Sequence, residues 1–152
     1  MSTELTVRQN LLINAPVARV WDVLVQPRYI NQWNELPGDF NYGAPLQLGT
    51  EILWVHPSGN RTTLTVISFR QGKELRLSLN NSHWTIAPRP DEVAYTYTLS
   101  EQGGATGLAI TIGDFSRIPG GDKFYEASLE FAREGGKKIK ALAEQAGTSR
   151  GA

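Results

Sequence analysis

Residues 5 to 13 alternate in character, with Val7, Leu11 and Ile13 on one parity, which is the period-two spacing of a half-buried strand. The period then changes. Val17, Val20, Trp21 and Leu24 recur at i, i+3, i+4 and i+7 and predict a helix with one apolar stripe. Asn14 is placed to cap it, and Pro16 falls in the first turn, where a missing N–H costs nothing. Gln26-Pro27 ends this helix and starts a short second one, whose inward face is Tyr29, Ile30 and Trp33. Pro37, Gly38, Gly43 and Pro45 mark a loop.

From about Thr50 the period returns to two. Strands are expected at 50–56, 61–69, 73–79, 82–87, 92–100 and 107–115, separated by turn clusters such as Pro57-Ser58-Gly59-Asn60 and Gln102-Gly103-Gly104. Links this short imply an antiparallel meander. Leu75, Leu77 and Leu79 set the inward face of one strand, Val93, Tyr95, Tyr97 and Leu99 that of another, and Leu108, Ile110 and Ile112 that of the last. After Pro119-Gly120-Gly121, Asp122 is read as the cap of a long helix ending near Ala146, with Tyr125, Leu129, Ala132, Gly136, Ile139 and Ala143 along one side. That side must lie on the sheet. The expected fold class is α+β: a curved antiparallel sheet of about seven strands around a long C-terminal helix, with two short helices after strand 1.

At 152 residues the chain suits one domain, read as 1–146 with a flexible tail at 147–152. Fifteen basic and fifteen acidic residues cancel, which argues against a nucleic-acid partner, since phosphate recognition needs a basic footprint. With no cysteine, disulfides, thiolate metal sites and a cysteine nucleophile are excluded. No segment reads as a secretory signal or a membrane span, so a cytoplasmic protein, monomer or homodimer, is the expectation. On the last helix Lys137, Lys138 and Lys140 alternate with Glu130, Glu134 and Glu144, as on a solvated face.

His56 and His83 are the side chains whose ordinary pKa lies near neutrality, so they are the first places to look for a general acid or base. A carboxylate such as Asp114 or Glu51 would have to orient one of them. Two histidines without a carboxylate cluster at ligand spacing give no metal site, and no cofactor motif is present. Trp54 and His56 share a parity on one strand, and His83 and Trp84 adjoin on another. Tyr95 and Tyr97 lie on a third, with Phe124, Tyr125 and Ser128 on the long helix. Singly each of these reads as ordinary core; together they suit a lined pocket.

The order of elements, with Asn14-Ala15-Pro16, Val20-Trp21, Pro27, Ile30 and Trp33, resembles the START-like, helix-grip superfamily over about residues 5 to 145. It is most similar to the branch of the heat-shock-protein ATPase activator homologues and the polyketide cyclases and dehydratases. That branch often carries Gly-Trp in the final helix, where this chain has Gly135-Gly136 before Ile139 and Leu142. Either backbone packs closely at Gly136, against Trp21 or Trp33, or the missing indole leaves room for a ligand.

The resemblance implies a small apolar or aromatic ligand held between sheet and helix, in a carrier or sensor without turnover. The ligand-binding set is then Trp33, Trp54, His56, Leu79, His83, Trp84, Tyr95, Tyr97, Phe124, Ser128 and Gly136, with no cofactor and no metal. The alternatives are a polyketide cyclase or dehydratase-like enzyme and a partner of a chaperone ATPase.

Overall fold

The computed structural model describes residues 4–84 and 88–150, with side chains up to residue 145. The chain runs β1 (Val7–Ile13), α1 (Val17–Val25), α2 (Pro27–Trp33), β2 (Glu51–Val55), β3 (Arg61–Arg70), β4 (Glu74–Asn81), β5 (Ala94–Gln102), β6 (Ala105–Gly113), a 3-10 turn at Phe115–Arg117 and α3 (Gly121–Arg150). The sheet is antiparallel, open and curved, in the order β1-β6-β5-β4-β3-β2. The meander from β2 to β6 is as expected, and β1 closes the far side by pairing with β6.

The described sheet has six strands rather than seven. The strand expected at 82–87 does not form where it is described: Ser82 and His83 make a turn and Trp84 belongs to no strand, while 85–87 lie outside the described residues. The reason is local. Asn81 Oδ1 accepts the His83 N–H at 3.0 Å, an Asx turn that competes with the ladder.

Two capping expectations are also corrected. Pro16, not Asn14, precedes α1, and no side chain caps that end. The Ala15 N–H returns to the Ile13 carbonyl at 2.9 Å, which puts Asn14 too early to reach the first turn; its own N–H donates to Glu144 Oε2 at 2.8 Å. Asp122 lies within the first turn of α3, which begins at Gly121, so its charge favours the positive end of the helix dipole without capping it. A Cβ at Gly121 would sit 1.8 Å from the Phe115 carbonyl oxygen, so glycine alone fits. The helix continues to Arg150, beyond the expected end.

The inward face of the sheet follows the register. Leu64 pairs with Leu79, Leu77 with Tyr95, Tyr97 with Ile110 and Leu108 with Leu11, all on the helix side. A bulge at Ile67 shifts β3 by one residue. Past it Phe69, not Ser68, turns inward to meet Trp21 of α1 edge-on at 5.3 Å. Helix α3 approaches the sheet backbone chiefly over β1, with a smaller approach to β6, and packs on α1, α2 and the 3-10 turn.

Candidate functional site

Because α3 leans on the β1 side, the space between its first half and β3 to β5 is spanned by side chains. Phe124, Ser128 and Phe131, at i, i+4 and i+7, point across it. Phe131 meets Tyr95 edge-on at 5.7 Å, Phe124 meets Trp84 at 5.5 Å, and Phe115 stacks on Phe124 at 6.0 Å. These pillars leave two adjoining hollows. One of about 360 Å³ lies among Thr62, Leu79, Asn81, Trp84, Tyr95, Phe115, Phe124, Ala127, Ser128 and Phe131. The other, of about 260 Å³, shares Thr62, Leu79, Tyr95 and Phe131 and adds Asn34, Trp54, His56 and Leu64. Together they fall in the size range of small-molecule sites, ~300–1,000 Å³.

Among the described residues, no Lys, Arg, Asp or Glu stands in these walls. Tyr95 is hydrogen-bonded to the Ser128 hydroxyl; burial pushes its phenol up to about 12, against a smaller downward pull from Ser128. Burial, with a lesser push from Tyr95, also raises Tyr97. At the mouth, His56 Nε2 lies 2.9 Å from Thr62 Oγ1, which also accepts Asn81 Nδ2 at 3.2 Å, so a polar chain joins β2, β3 and β4. Trp84 Nε1 is buried and has no hydrogen-bond partner among the described residues.

Of the expected set, Trp54, His56, Leu79, Trp84, Tyr95, Phe124 and Ser128 line the hollows. Trp33 and Tyr97 lie in the core beside them: Trp33 Nε1 donates to the Val23 carbonyl at 2.9 Å, and its ring meets Tyr97 at 5.8 Å. His83 sits on the exposed turn. Gly136 is elsewhere. A Cβ there would stand 3.0 Å from Leu11 Cδ1 and 3.7 Å from Ile110 Cδ1, so the room left by the absent indole is filled by Leu11, and neither Trp21 nor Trp33 is the neighbour.

Neither carboxylate orients a histidine. Asp114 Oδ1 accepts the Leu5 and Ser116 N–H groups at 2.8 and 2.9 Å. Partial burial alone would raise its pKa, but the hydrogen bonds from Ser116 and Leu5 and the Arg117 charge hold it below its usual value. Glu51 pairs with Thr65 on the solvent face of the sheet. Among the described residues no three His, Asp or Glu side chains converge as metal ligands would, and no helix is long and apolar enough to cross a membrane.

Thr62, Asn81, Phe115 and Phe131 were not expected in the walls. The spacing Phe124, Ser128, Phe131 was the available signal for the last; Thr62 and Asn81 become neighbours only through the β3–β4 register. A larger concavity of about 640 Å³ lies outside this cavity, between the loop from Pro37 to Gln47 and β2. It is walled by one loop and the edge strand, where Leu53 and Val55 are 42% and 61% exposed, so it is a surface shelf.

The fold is shared widely among solved structures. The chain is similar to protein MLL2253 from Mesorhizobium loti (20% identity, 92% of this chain and 97% of that one, TM-score 0.73). It is also similar to DynU16, from the dynemicin biosynthetic locus (20% identity, 92% of this chain and 48% of that one, TM-score 0.62). A third likeness is to the Aha1 dimer from Colwellia psychrerythraea (13% identity, 91% and 96%, TM-score 0.64). At such identities these likenesses speak for the fold alone. No curated protein matches the sequence. The family model described as activator of Hsp90 ATPase homolog 1-like protein matches residues 14–146, and the chain therefore belongs to that family, within the START-like superfamily.

Proposed function

We propose that this protein holds a small apolar or aromatic molecule between the first half of α3 and strands β2 to β5, as a carrier or sensor without turnover. The observation that supports it is the pair of adjoining hollows of about 360 and 260 Å³, walled by aromatics around a Tyr95–Ser128 pair. The phenol of Tyr95 stays protonated at neutral pH, so it offers hydrogen bonding and no base. Thermal unfolding across a library of aromatic and lipid-like molecules tests the reading. Binders should raise Tm with concentration as mass action requires, and Phe131→Trp, which fills the hollow, should abolish the shift. A library without a single concentration-dependent binder would sink it.

A polyketide cyclase or dehydratase-like enzyme is the second reading, favoured by the chain His56–Thr62–Asn81 at the cavity mouth. In that case His56 exchanges a proton with a bound chain folded against the aromatics. Turnover of aromatic polyketide-like substrates that survives His56→Ala at the wild-type rate would reject it.

A further inference from the structure

The cavity is donor-rich. An indole N–H is a donor with no acceptor function; Trp84 lines the larger hollow, and its N–H is buried without a partner among the described residues. Tyr95 and Ser128 carry two hydroxyl hydrogens between them, and their mutual bond uses one, so one O–H remains to be accepted. The polar atoms of Asn81 are engaged: Nδ2 donates to Thr62 Oγ1 and Oδ1 accepts the His83 N–H. No Lys, Arg, Asp or Glu lines either hollow among the described residues.

Taking the proposed cavity binding as its basis, we infer that the ligand is an uncharged aromatic or apolar molecule bearing a carbonyl oxygen, which accepts from Trp84 Nε1–H and from the Tyr95–Ser128 hydroxyl pair. A hydrocarbon would leave the buried indole N–H unsatisfied, as it is without ligand. A carboxylate would bring a charge into the larger hollow, whose described lining has no Lys, Arg or His to pair it. A neutral carbonyl meets both conditions: its oxygen has two lone pairs for two donors, and the rest of the molecule packs on Phe124 and Phe131.

Three probes of one shape separate the possibilities: 2-acetylnaphthalene, 2-ethylnaphthalene and 2-naphthoate, titrated calorimetrically into the full chain at neutral pH. The ketone should bind about fivefold to tenfold more tightly than the ethyl compound, the scale of one net hydrogen bond, and the carboxylate most weakly. Trp84→Phe should cut the preference for the ketone over the ethyl compound at least about twofold. Ser128→Ala supplies the same test should Trp84→Phe fail to fold. Equal affinities for ketone and ethyl compound, or tightest binding of 2-naphthoate, would overturn the carbonyl assignment while leaving cavity binding intact. Failure of all three probes to bind would overturn cavity binding itself.

Discussion

The groove between α3 and the sheet has two ends built on different terms. Toward β1 and β6 the helix presents Gly136, Ile139 and Ala143, and the sheet answers with Leu11 and Ile110, so that backbones approach and the space is filled. Toward β3 to β5 it presents Phe124, Ser128 and Phe131, and large rings hold helix and sheet apart. Small residues close a groove, while rings meeting edge-on prop it open, because a T-shaped pair fixes a distance without filling the volume beside it. The filled end also carries a tie: Lys140 Nζ donates to the Leu12 carbonyl at 2.9 Å and to Glu144, whose carboxylate accepts the Asn14 N–H.

This contrast is open to direct attack, beginning where the effect is largest. Ile110→Ala at the filled end should cost about 2–5 kcal/mol, because the side chain is buried and its neighbours cannot collapse into the gap. Leu79→Ala, on a wall already missing neighbours, should fall at the bottom of that range. Urea denaturation compares the two, and equal losses would erase the distinction between the ends. Next, Gly136→Trp restores the indole common in the family, into a place where even a Cβ stands 3.0 Å from Leu11 Cδ1. Overpacking should cost about 1–3 kcal/mol, more than the ~1 kcal/mol gained in helix propensity. A variant as stable as the parent would mean the filled end has room after all.

At the open end, Ser128→Ala should cost about 1 kcal/mol and push the Tyr95 phenol higher still, since the hydrogen bond that lowered it is gone. The pH dependence follows with its sign. Tyr95 titrates at about 12 when folded against 10.0 ordinarily, so the unfolded chain releases its proton first. Its contribution is complete below pH 10 and lost as pH rises toward 12; Tyr95→Phe should lower the slope of that part of the profile, Tyr97 supplying the rest, and an unchanged slope would refute the assignment. The smallest effect belongs to the tie. Glu144 is held below its usual pKa by the hydrogen bond from Lys140, then by the Asn14 N–H and the Lys140 charge. Its contribution is present above the ordinary carboxylate pKa and vanishes as pH falls through the folded value. Glu144→Gln should therefore cost a few tenths of a kcal/mol near neutrality and nothing in strong acid.

Periodicity carried most of the fold, because period two and period 3.6 are properties of single segments: the two short helices, β3, β5 and the long helix stand within a few residues of where alternation and stripes put them. It failed at Ser82 and His83, where one Asx turn outweighs the alternation. The cavity was half legible. Tyr95, Ser128 and Phe124 show themselves through parity and helical spacing, whereas Thr62 and Asn81 enter through register between strands, which no single segment encodes. Gly136 misled for a related reason. The absence of a side chain says that something else comes close, and whether that is a ligand or Leu11 depends on a strand more than a hundred residues away.

The bulge at Ile67 has the character of a phase shift. A strand counts in twos, and adding one residue inverts which of its positions are inside for the remainder of its length. Before Ile67 the inward beat falls on Leu64 and Val66; after it the beat falls on Phe69, and Phe69 is what α1 grips through Trp21. Pairing Ile67 into the ladder, with every residue kept and no bulge, would turn Ser68 toward the indole and Phe69 toward water. What fastens the first helix to the sheet is thus a matter of parity: a single uncounted residue decides whether the same letters spell an anchor or a solvent face.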